Sequence, residues 1–215
     1  MVGWVGVDGA RPNATHYALA ELERAGKIDL LITQNVDRLH QKAGSQRVVD
    51  LHGRLDQVIC LDCGEQESRK SFQTRLLRAN PFVTDYQHIA RPDGDADVPD
   101  TYVEKTTIPD CEHCGGVVMP DVVFFGGTVP RSRVEACTES LGSAGGLLVV
   151  GSSLQVYSGF RFCRMAERLR IPIVIVNEGE TRADEMATLK VEQSAMNRLV
   201  AAIDHIIPSQ ESKSA

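Results

Sequence analysis

Two runs of consecutive apolar residues, Leu147–Val150 and Ile173–Val176, constrain the fold of this 215-residue chain more than any other feature. Continuous, β-branched runs of this length are typical of strands that are buried on both faces. The intervening residues 158–170 have the pattern of a helix. A strand, a helix and a second strand in this order form a βαβ unit, whose two strands run parallel. The sequence therefore predicts an α/β fold built on a Rossmann-like parallel sheet.

The N-terminal part of the chain predicts one helix and two further strands. Residues 12–27, PNATHYALAELERAGK, have Asn13 in the position of an N-cap and Gly26 where a helix end is expected. The stretch DLLITQ predicts a strand, and VVDLHG at residues 48–53 predicts a second strand. We also interpret VVFFGG, residues 122–127, as an extended strand.

From Cys60 to Gly116 the chain is polar, differs in character from the predicted sheet and is bracketed by two cysteine pairs. These residues define an inserted segment that we place at residues 54–120. We interpret them as a small zinc-binding module inserted between two parts of the Rossmann-like domain, residues 1–53 and 121–207, with residues 208–215 as a disordered tail. The acidic residues Asp93, Asp95 and Asp97 imitate a calcium loop, but Val98 stands where such a loop needs glycine. A solvated loop is therefore the favoured interpretation of that stretch.

Composition and charge exclude several classes of function. A net charge of −6 and a pI of about 5.5 argue against nonspecific binding to nucleic acid or to an anionic membrane. No apolar run approaches the roughly 18 residues of a membrane-spanning helix. The opening MVGWVGVDGA lacks the basic and apolar regions of a secretory signal. We therefore expect no nucleic-acid or membrane partners and a cytoplasmic location, with a mitochondrial transit peptide as the alternative if an N-terminal part is missing. We also expect a monomer.

The two cysteine pairs, Cys60 with Cys63 and Cys111 with Cys114, share the form C-x-x-C-G. Two intervening residues allow both thiolates of a pair to bind one ion, and the glycine permits the tight turn that follows. Four thiolates form a closed tetrahedral shell, so the pattern favours one structural zinc ion over a catalytic one. Two disulfides or two redox pairs are the alternatives.

The remaining cysteines and several histidines have structural interpretations. Cys137 and Cys163 stand alone in predicted helices, and we interpret them as small buried apolar residues. His113 lies inside the second cysteine pair, where four cysteines already fill the metal shell. His16 and His40 are interpreted as structural residues.

Polar and small residues follow the predicted strands at the end where an open parallel sheet binds ligands. GSS at residues 151–153 offers backbone N–H groups and two hydroxyls, which suit phosphate or ribose. Asn177 and Glu178 lie where a ribose-binding amide or acid is expected. Together these loops favour a nucleotide site. His52, taken by itself, is more simply interpreted as a hydrogen-bonded structural histidine.

Several motifs, in their order along the chain, resemble those of one family. They are TQNVDRLHQKAG, LHG, the two C-x-x-C pairs, PDVVFFGG, GSSLQV and IVNEG, and the resemblance around them extends over about residues 13–190. They are similar to the motifs of the sirtuins, which are NAD-dependent protein-lysine deacylases. CLDCGEQ, GSSLQVYSG and GETRAD resemble the class II branch in particular, which has bacterial and mitochondrial members.

The resemblance implies a role for each part of the candidate site. His52 would be the general base that activates a ribose hydroxyl, after the acyl-lysine oxygen has attacked ribose C1′ and nicotinamide has left. An ordinary histidine pKa of about 6.5 suits that step at neutral pH. The NAD-binding residues would be Gln34, Asn35, Val36, Asp37, Gly151, Ser152, Ser153, Asn177, Glu178 and Gly179. The extended peptide around the acyl-lysine, from a protein or peptide substrate, would bind at Val122, Val123, Phe124, Phe125 and Gly126.

The sequence also departs from the family pattern. Gly127 stands where many sirtuins have an acid, and residues 191–200 lack a glycine usual near the adenine. The glycine-rich GAGxS loop and the GIPDFR-like segment of the family do not occur in residues 1–215. The resemblance therefore implies that the first βα unit of the Rossmann domain is missing, and we expect a gap between the strands of DLLIT and LLVVG. We accordingly expect residues 1–215 to be N-terminally incomplete and inactive alone. The alternatives to a deacylase are a catalytically silent, zinc-stabilised fragment and an NAD-dependent ADP-ribosyltransferase.

Overall fold

In the computed structural model, which describes residues 3–85, 98–192 and 195–207, the chain divides into two units. The first, which we call the zinc unit, contains Met1–Arg11, Asn35–Arg38 and His52–Gly126. The second, which we call the sheet unit, contains Pro12–Gln34, Leu39–Leu51 and Gly127–Ala215. Each unit therefore collects segments that are distant along the chain.

Eight strands and eight α-helices lie within the described residues. The strands are β1 Leu31–Thr33, β2 Val48–Asp50, β3 Gly53–Cys60, β4 Gln66–Ser68, β5 Val118–Val122, β6 Leu147–Val150, β7 Ile173–Val176 and β8 Leu189–Val191. The α-helices are α1 Gly3–Gly9, α2 Ala14–Arg24, α3 Leu39–Lys42, α4 Arg69–Ala79, α5 Asp100–Lys105, α6 Arg131–Ser143, α7 Tyr157–Leu169 and α8 Ala195–Ile206. Short 3₁₀ helices lie at Pro81–Asp85 and Asp184–Met186.

The predicted βαβ unit is confirmed in the sheet unit. Strands β6 and β7 are parallel, with Leu147 opposite Ile173, and helix α7 connects them. Strand β8 adds to β7 in the same direction, which gives the order β6-β7-β8. The prediction that both strands are buried on both faces is wrong for β6, where Leu148 is 39% exposed. The reason is that β6 is the edge of this three-stranded sheet.

Strands β1 and β2 form a second parallel ladder in the sheet unit, with Leu31 opposite Val48. The two strands predicted from DLLITQ and VVDLHG are thus present, although β2 ends at Asp50 and His52 lies in the following turn. Within the described ranges no ladder joins β1 to β6, the two strands between which the sequence predicts a gap.

Helix α2 follows from its sequence as predicted. Asn13 is the N-cap: its side-chain oxygen accepts from the backbone N–H of His16 at 3.2 Å, and the His16 side chain in turn accepts from the Asn13 N–H. His16 thus has the structural role expected of it. The buried face of α2 includes Leu19 and Leu22, which pack with Leu199 of α8. Gly26, with a φ of +69°, follows the helix end.

The main core of the sheet unit lies between the strands and helices α6 and α7. Cys137 of α6 is 0% exposed and Cys163 of α7 is 1% exposed. Burial raises the pKa of each thiol to about 11, so both remain neutral and unreactive at physiological pH. Their interpretation as buried apolar residues is confirmed. The same core contains Ile173 and Ile175 of β7 and Leu51, which follows β2.

The zinc unit is built on an antiparallel sheet of order β4-β3-β5. Helix α4 packs Phe72 and Leu76 against Val58 of β3 and forms a small core of its own. The side chain of Asn80, after α4, is fully buried and donates to the carbonyl oxygen of Thr107 at 2.7 Å. This contact joins the residue that follows α4 to the chain shortly before β5.

Two features of the zinc unit differ from expectation. The predicted strand at residues 122–127 is wrong beyond Val122, because β5 pairs with β3 only as far as Gly53, and residues 125 and 126 form a turn. Helix α1 was not predicted, since three of its seven residues are glycine, a poor helix former. Trp4 of this helix lies against the Arg69 guanidinium, 5.4 Å from the ring centroid.

Two of the predicted segments are not among the described residues. They are the acidic stretch with Asp93, Asp95 and Asp97, and the tail at 208–215. Among the residues that the structure does describe, no helix has both the length and the apolar character needed to cross a membrane.

Candidate active site and metal centre

The four cysteines of the C-x-x-C-G motifs come together at the end of β3 in the zinc unit. Their sulfur atoms all lie within 4.8 Å of one another, and the Cys60–Cys114 and Cys63–Cys111 sulfur pairs are 3.5 and 3.8 Å apart. Zinc–sulfur bonds of about 2.3 Å in a tetrahedron place the sulfurs about 3.8 Å apart. A disulfide needs about 2.05 Å, so the arrangement fits one zinc ion and not two disulfides.

Both motifs reach this arrangement through the same turn. The N–H of Gly64 donates to the carbonyl oxygen of Cys60 at 3.0 Å, and that of Gly115 donates to Cys111 at 2.8 Å. Both glycines have a φ of +75°, a conformation that residues with a side chain rarely adopt. The glycine after each pair is therefore required by the backbone, as the sequence indicated.

The electrostatics of the cluster also favour a cation. The backbone N–H of Cys63 lowers the pKa of the Cys60 thiol to about 7, whereas hydrogen bonding with the Cys63 thiol raises the pKa of Cys114 to about 12. Four thiols this close repel one another once ionised, because each thiolate disfavours the next. A divalent cation removes this repulsion, so all four can bind it as thiolates.

The predicted nucleotide-binding loops lie side by side in the sheet unit. Residues 151–153 follow β6 and residues 177–179 follow β7, its parallel neighbour, so both loops leave the same edge of the sheet. The N–H of Gly151 donates to the carbonyl oxygen of Val176 at 2.9 Å, and Gly151 has a φ of +57°. Backbone N–H groups and hydroxyls at this edge are a donor set that suits the ribose and phosphate groups of NAD.

Asn177 stabilises the loop in which it lies. Its side chain is 8% exposed, and its amide nitrogen donates to the carbonyl oxygens of Glu178 at 2.7 Å and Gly179 at 3.3 Å. The φ of Gly179 is +76°, so the turn needs both the amide and the glycine.

Gln34, which follows β1, lies beside the loop after β6. Its amide nitrogen donates to the hydroxyl of Ser158 at 3.2 Å, and the hydroxyl of Ser152 donates to its amide oxygen at 3.4 Å. The end of β1 therefore meets the end of β6 and the first turn of α7. Two predicted segments of the nucleotide site, at Gln34 and at residues 151–153, thus converge within one unit, together with α7, which the sequence did not assign to the site.

The loop after β6 has a strained residue that a second segment supports. Leu154 is buried, at 5% exposed, and has a φ of +56°. The carbonyl oxygens on either side of it, of Ser153 and Gln155, accept from the backbone N–H of Arg182 at 2.9 Å and from its guanidinium at 3.2 Å. That guanidinium lies 4.4 Å from the ring centroid of Phe160.

The other predicted site residues lie in the zinc unit. The N–H of Leu55 in β3 donates to the carbonyl oxygen of Val36 at 2.9 Å, which fixes the loop that carries Asn35 and Asp37. Arg38, in the left-handed conformation with a φ of +64°, pairs with Asp56 of β3 at 3.7 Å.

Asp56 also accepts two hydrogen bonds from the Arg54 guanidinium, at 2.6 and 2.7 Å. Burial favours the neutral carboxyl, but the hydrogen bonds and charge of Arg54, with the charge of Arg38, lower the pKa of Asp56 below its ordinary value. This carboxylate therefore stays ionised and anchors the loop.

His52 lies in the turn between β2 and β3, and its backbone is held firmly. Its carbonyl oxygen accepts from the N–H of Val123 at 2.8 Å. Gly53, with a φ of +87°, faces the β5 backbone so closely that an added Cβ would lie 2.1 Å from the carbonyl oxygen of Asp121. The LHG motif thus needs its glycine, and His52 lies beside the start of the predicted peptide-binding segment.

That peptide-binding segment leaves its aromatic side chains in solvent. Phe124 is 57% exposed and Phe125 is 101% exposed, while Gly126 has a φ of +84° in the turn. Val122 ends β5, and Val123 follows it. Exposed apolar residues of this size next to a strand end suit contact with another chain.

Sequence reasoning missed the supporting residues. Arg182, Ser158 and Gly159 lie within the motifs GETRAD and GSSLQVYSG, but no periodicity or spacing showed that they contact the loops of the candidate site. Arg38 and Asp56 are eighteen positions apart, and their pairing depends on the path of the chain between them.

Comparison with known proteins agrees with this geometry. A model of the Sir2 family matches residues 4–158. The chain is 54% identical over 199 residues to a protein of Xanthomonas campestris pv. campestris (strain 8004) named NAD-dependent protein deacetylase, with 93% of this chain and 68% of that protein covered. It is 47% identical over 204 residues to a Bos taurus protein named NAD-dependent protein lipoamidase sirtuin-4, mitochondrial, with 95% of this chain and 64% of that protein covered.

Solved structures give the same result. The fold matches a structure of Sir2 bound to acetylated peptide with a TM-score of 0.76 and 30% identity, covering 93% of this chain and 73% of that one. It matches a structure of Sir2 with a p53 peptide and NAD+ with a TM-score of 0.72 and 30% identity, covering 91% and 70%. From the family match over residues 4–158 and the 54% identity to the Xanthomonas relative, we conclude that this chain belongs to the Sir2 family.

Proposed function

We propose that this chain is an NAD-dependent protein-lysine deacetylase that releases nicotinamide and transfers the acyl group to ADP-ribose. The observation that carries the proposal is the contact of Gln34, at the carboxyl end of β1, with Ser152, at the carboxyl end of β6, and with Ser158 in the first turn of α7. This is the edge at which open α/β sheets bind nucleotides. Relatives named NAD-dependent protein deacetylases, at 54% and 52% identity, support the same activity.

NAD binding is divided between two groups of residues in this proposal. Residues 151–153 and 177–179 hold the adenosine half of NAD through backbone N–H groups and hydroxyls. Gln34 and residues 35–37 hold the nicotinamide end and its ribose. The donor set fits, because hydroxyl, amide and carboxylate side chains at strand ends are the groups that bind ribose and carboxamide.

His52 acts as the general base. With NAD bound, its imidazole would take a proton from a ribose hydroxyl and so make that oxygen more nucleophilic toward the acyl carbon. Support comes from the fixed backbone of the turn, in which the carbonyl oxygen of His52 accepts from Val123 and Gly53 packs on β5. A base held in this way keeps its position through the reaction.

The substrate is an acyl-lysine within an extended protein or peptide segment. Val122 and Val123 supply backbone groups at the strand end, and Phe124, Phe125 and Gly126 supply the adjoining surface. The match to a Sir2 structure with an acetylated peptide supports this assignment.

The metal is one structural zinc ion held by Cys60, Cys63, Cys111 and Cys114. Sulfur separations of 3.5 and 3.8 Å support it. When bound, zinc would join the end of β3 to the turn that precedes β5, and the zinc-binding module of residues 54–120 would depend on it for its fold.

The finer classification follows from the motifs. We assign the chain to the class II branch, which CLDCGEQ and GSSLQVYSG support, together with the 47% identity to a protein named sirtuin-4. Bacterial relatives support a cytoplasmic location, and we propose a monomer.

The test is deacetylation of an acetyl-lysine peptide by the wild-type chain and by His52→Tyr. Because residues 1–215 contain no glycine-rich loop of the family type, both residues 1–215 alone and the chain joined to that segment of a relative are assayed. His52→Tyr is expected to abolish deacetylation while zinc content and the thermal midpoint stay unchanged. Undiminished turnover in this variant would show that His52 is not the general base and has a structural role instead.

A further inference from the structure

In the first turn of α7, Gly159 packs directly against the side-chain amide of Gln34. Gly159 is the third residue of this helix, and an ideal Cβ built on it would lie 2.7 Å from the amide oxygen of Gln34 and 2.8 Å from its amide carbon. Real Cβ contacts are essentially never below 3.0 Å. The amide of Gln34 therefore occupies the volume that any side chain at position 159 would need.

Two hydroxyls orient that amide. Ser158, next to Gly159, accepts from the Gln34 nitrogen at 3.2 Å, and Ser152 donates to the Gln34 oxygen at 3.4 Å. The amide is thus bounded on one side by the bare backbone of Gly159 and at its ends by two serines. Its rotamer is set by α7 and by the loop after β6.

We propose that Gly159 is a positioning residue for the NAD-dependent reaction. Its lack of a side chain lets the Gln34 amide rest on α7 in the orientation that the two serines fix. The proposal depends on the proposed function in one respect, the assignment of Gln34 to NAD. Gly159 itself is not assigned a contact with NAD; it acts by setting the position of Gln34.

The physical consequence is that Gly159→Ala is expected to impair function without lowering stability. Position 159 is helical without a positive φ, and alanine is a better helix former than glycine. The atoms that an added Cβ meets are the far end of a flexible side chain, so Gln34 can move aside without a backbone shift. Stability is therefore unchanged or raised, while the amide of Gln34 leaves its position.

A matched control is available in α6. Gly142 is also within a helix, and nothing lies within 4 Å of an added Cβ there. Like Gly159→Ala, Gly142→Ala is expected to leave the thermal midpoint unchanged or raised. Only Gly159→Ala is expected to lower kcat/KM for NAD, by about 5- to 30-fold, which corresponds to about 1–2 kcal/mol.

The experiment combines kinetics with an observation of Gln34 that needs no turnover. In ¹⁵N-labelled protein, the side-chain NH₂ resonances of Gln34 are assigned by their loss in Gln34→Ala and compared among the wild type, Gly159→Ala and Gly142→Ala. We expect them to move in Gly159→Ala only. In a double-mutant cycle, Gly159→Ala is expected to have no further effect on kcat/KM in the Gln34→Ala background.

Three results would overturn the proposed positioning role of Gly159. Unmoved Gln34 resonances in Gly159→Ala, or an equal loss of kcat/KM in the presence and absence of the Gln34 side chain, would overturn the proposal. A fall in thermal midpoint that Gly142→Ala does not share would also overturn it, since the glycine would then be needed for folding. The kinetics are measured with the chain joined to the glycine-rich segment of a relative. If the resonances move but this joined chain neither binds nor consumes NAD, the proposed function fails, and the packing of Gln34 on α7 stands without a role in it.

Discussion

At the scale of single residues, the cysteine cluster has the clearest chemistry. Cys114→Ser removes one thiolate from a shell whose sulfurs lie within 4.8 Å of one another. Zinc is expected to fall from one ion per chain toward none, and solubility is expected to decline before any direct effect on catalysis, because metal binding is coupled to folding. Zinc is measured by elemental analysis of the purified protein.

His113→Ala is the matched control for this prediction, since His113 lies between Cys111 and Cys114 in the sequence without a role in the proposed shell. It should retain full zinc. Loss of zinc in His113→Ala with retention in Cys114→Ser would show that the ligands have been assigned incorrectly.

The glycine beside the proposed base gives a second residue-scale prediction. An alanine Cβ at Gly53 would lie 2.1 Å from the Asp121 carbonyl oxygen, a backbone atom that cannot move aside alone. Gly53→Ala is expected to destabilise the chain by about 2–3 kcal/mol. At Gly26 the φ is also positive, at +69°, but the space is open, so Gly26→Ala should cost only about 1 kcal/mol. Urea unfolding of both variants measures the difference, and equal costs would contradict the close approach of β5.

Residue-scale predictability depends on whether the signal is local. The spacing of Cys60 and Cys63 and the glycine after them could be predicted, because a metal knuckle is a local turn. The contact between Gln34 and Gly159 could not, because it joins positions that meet only after β1 and α7 have packed. The sequence of a helix does not show which side chain of another element packs against one of its glycines.

At the scale of elements, the loop after β6 depends on a neighbouring segment. Leu154 has a left-handed backbone, and Arg182 binds the carbonyl groups on both sides of it. Arg182→Ala removes a hydrogen bond and a ring contact worth together about 1–2 kcal/mol. NAD affinity is expected to fall about 5- to 30-fold, and hydrogen exchange in a peptide covering residues 151–157 should accelerate.

Arg131→Ala is the control for this prediction, because Arg131 pairs with Glu135 on a solvent-exposed helix face. It should change neither NAD affinity nor exchange in the loop. Unchanged exchange at residues 151–157 in Arg182→Ala would mean that the loop holds its conformation without the arginine.

Helices and strands were predicted correctly where the periodic pattern of apolar residues matched the residues that are buried in the structure. The βαβ unit of β6, α7 and β7 followed from two apolar runs and a helical pattern between them. The strand predicted at residues 122–127 was wrong beyond Val122, because Phe124 and Phe125 are exposed and pair with none of the strands in the described residues. Apolar composition predicted burial there, whereas solvent exposure suits contact with a substrate chain.

At the scale of the whole molecule, each unit gathers distant segments. The short segment Asn35–Arg38 belongs to the zinc unit, and its attachments there include the Val36–Leu55 hydrogen bond and the Arg38–Asp56 ion pair. Sequence patterns predicted the order of the large segments but not this short one, since four residues have no periodicity of their own. The boundaries at residues 54 and 120 stay a prediction.

In the proposed reaction, the chain couples NAD cleavage to removal of an acyl group from lysine. The most direct measurement quantifies nicotinamide by chromatography and deacetylated peptide by mass spectrometry in one reaction, with the chain joined to a glycine-rich segment of the family, since backbone N–H groups of such a loop bind pyrophosphate. We predict one nicotinamide per acetyl group lost, an ADP-ribose product that carries the acetyl group, and neither product without NAD or with His52→Tyr. Nicotinamide release without loss of acetyl groups, or loss of acetyl groups without NAD, would contradict this coupling.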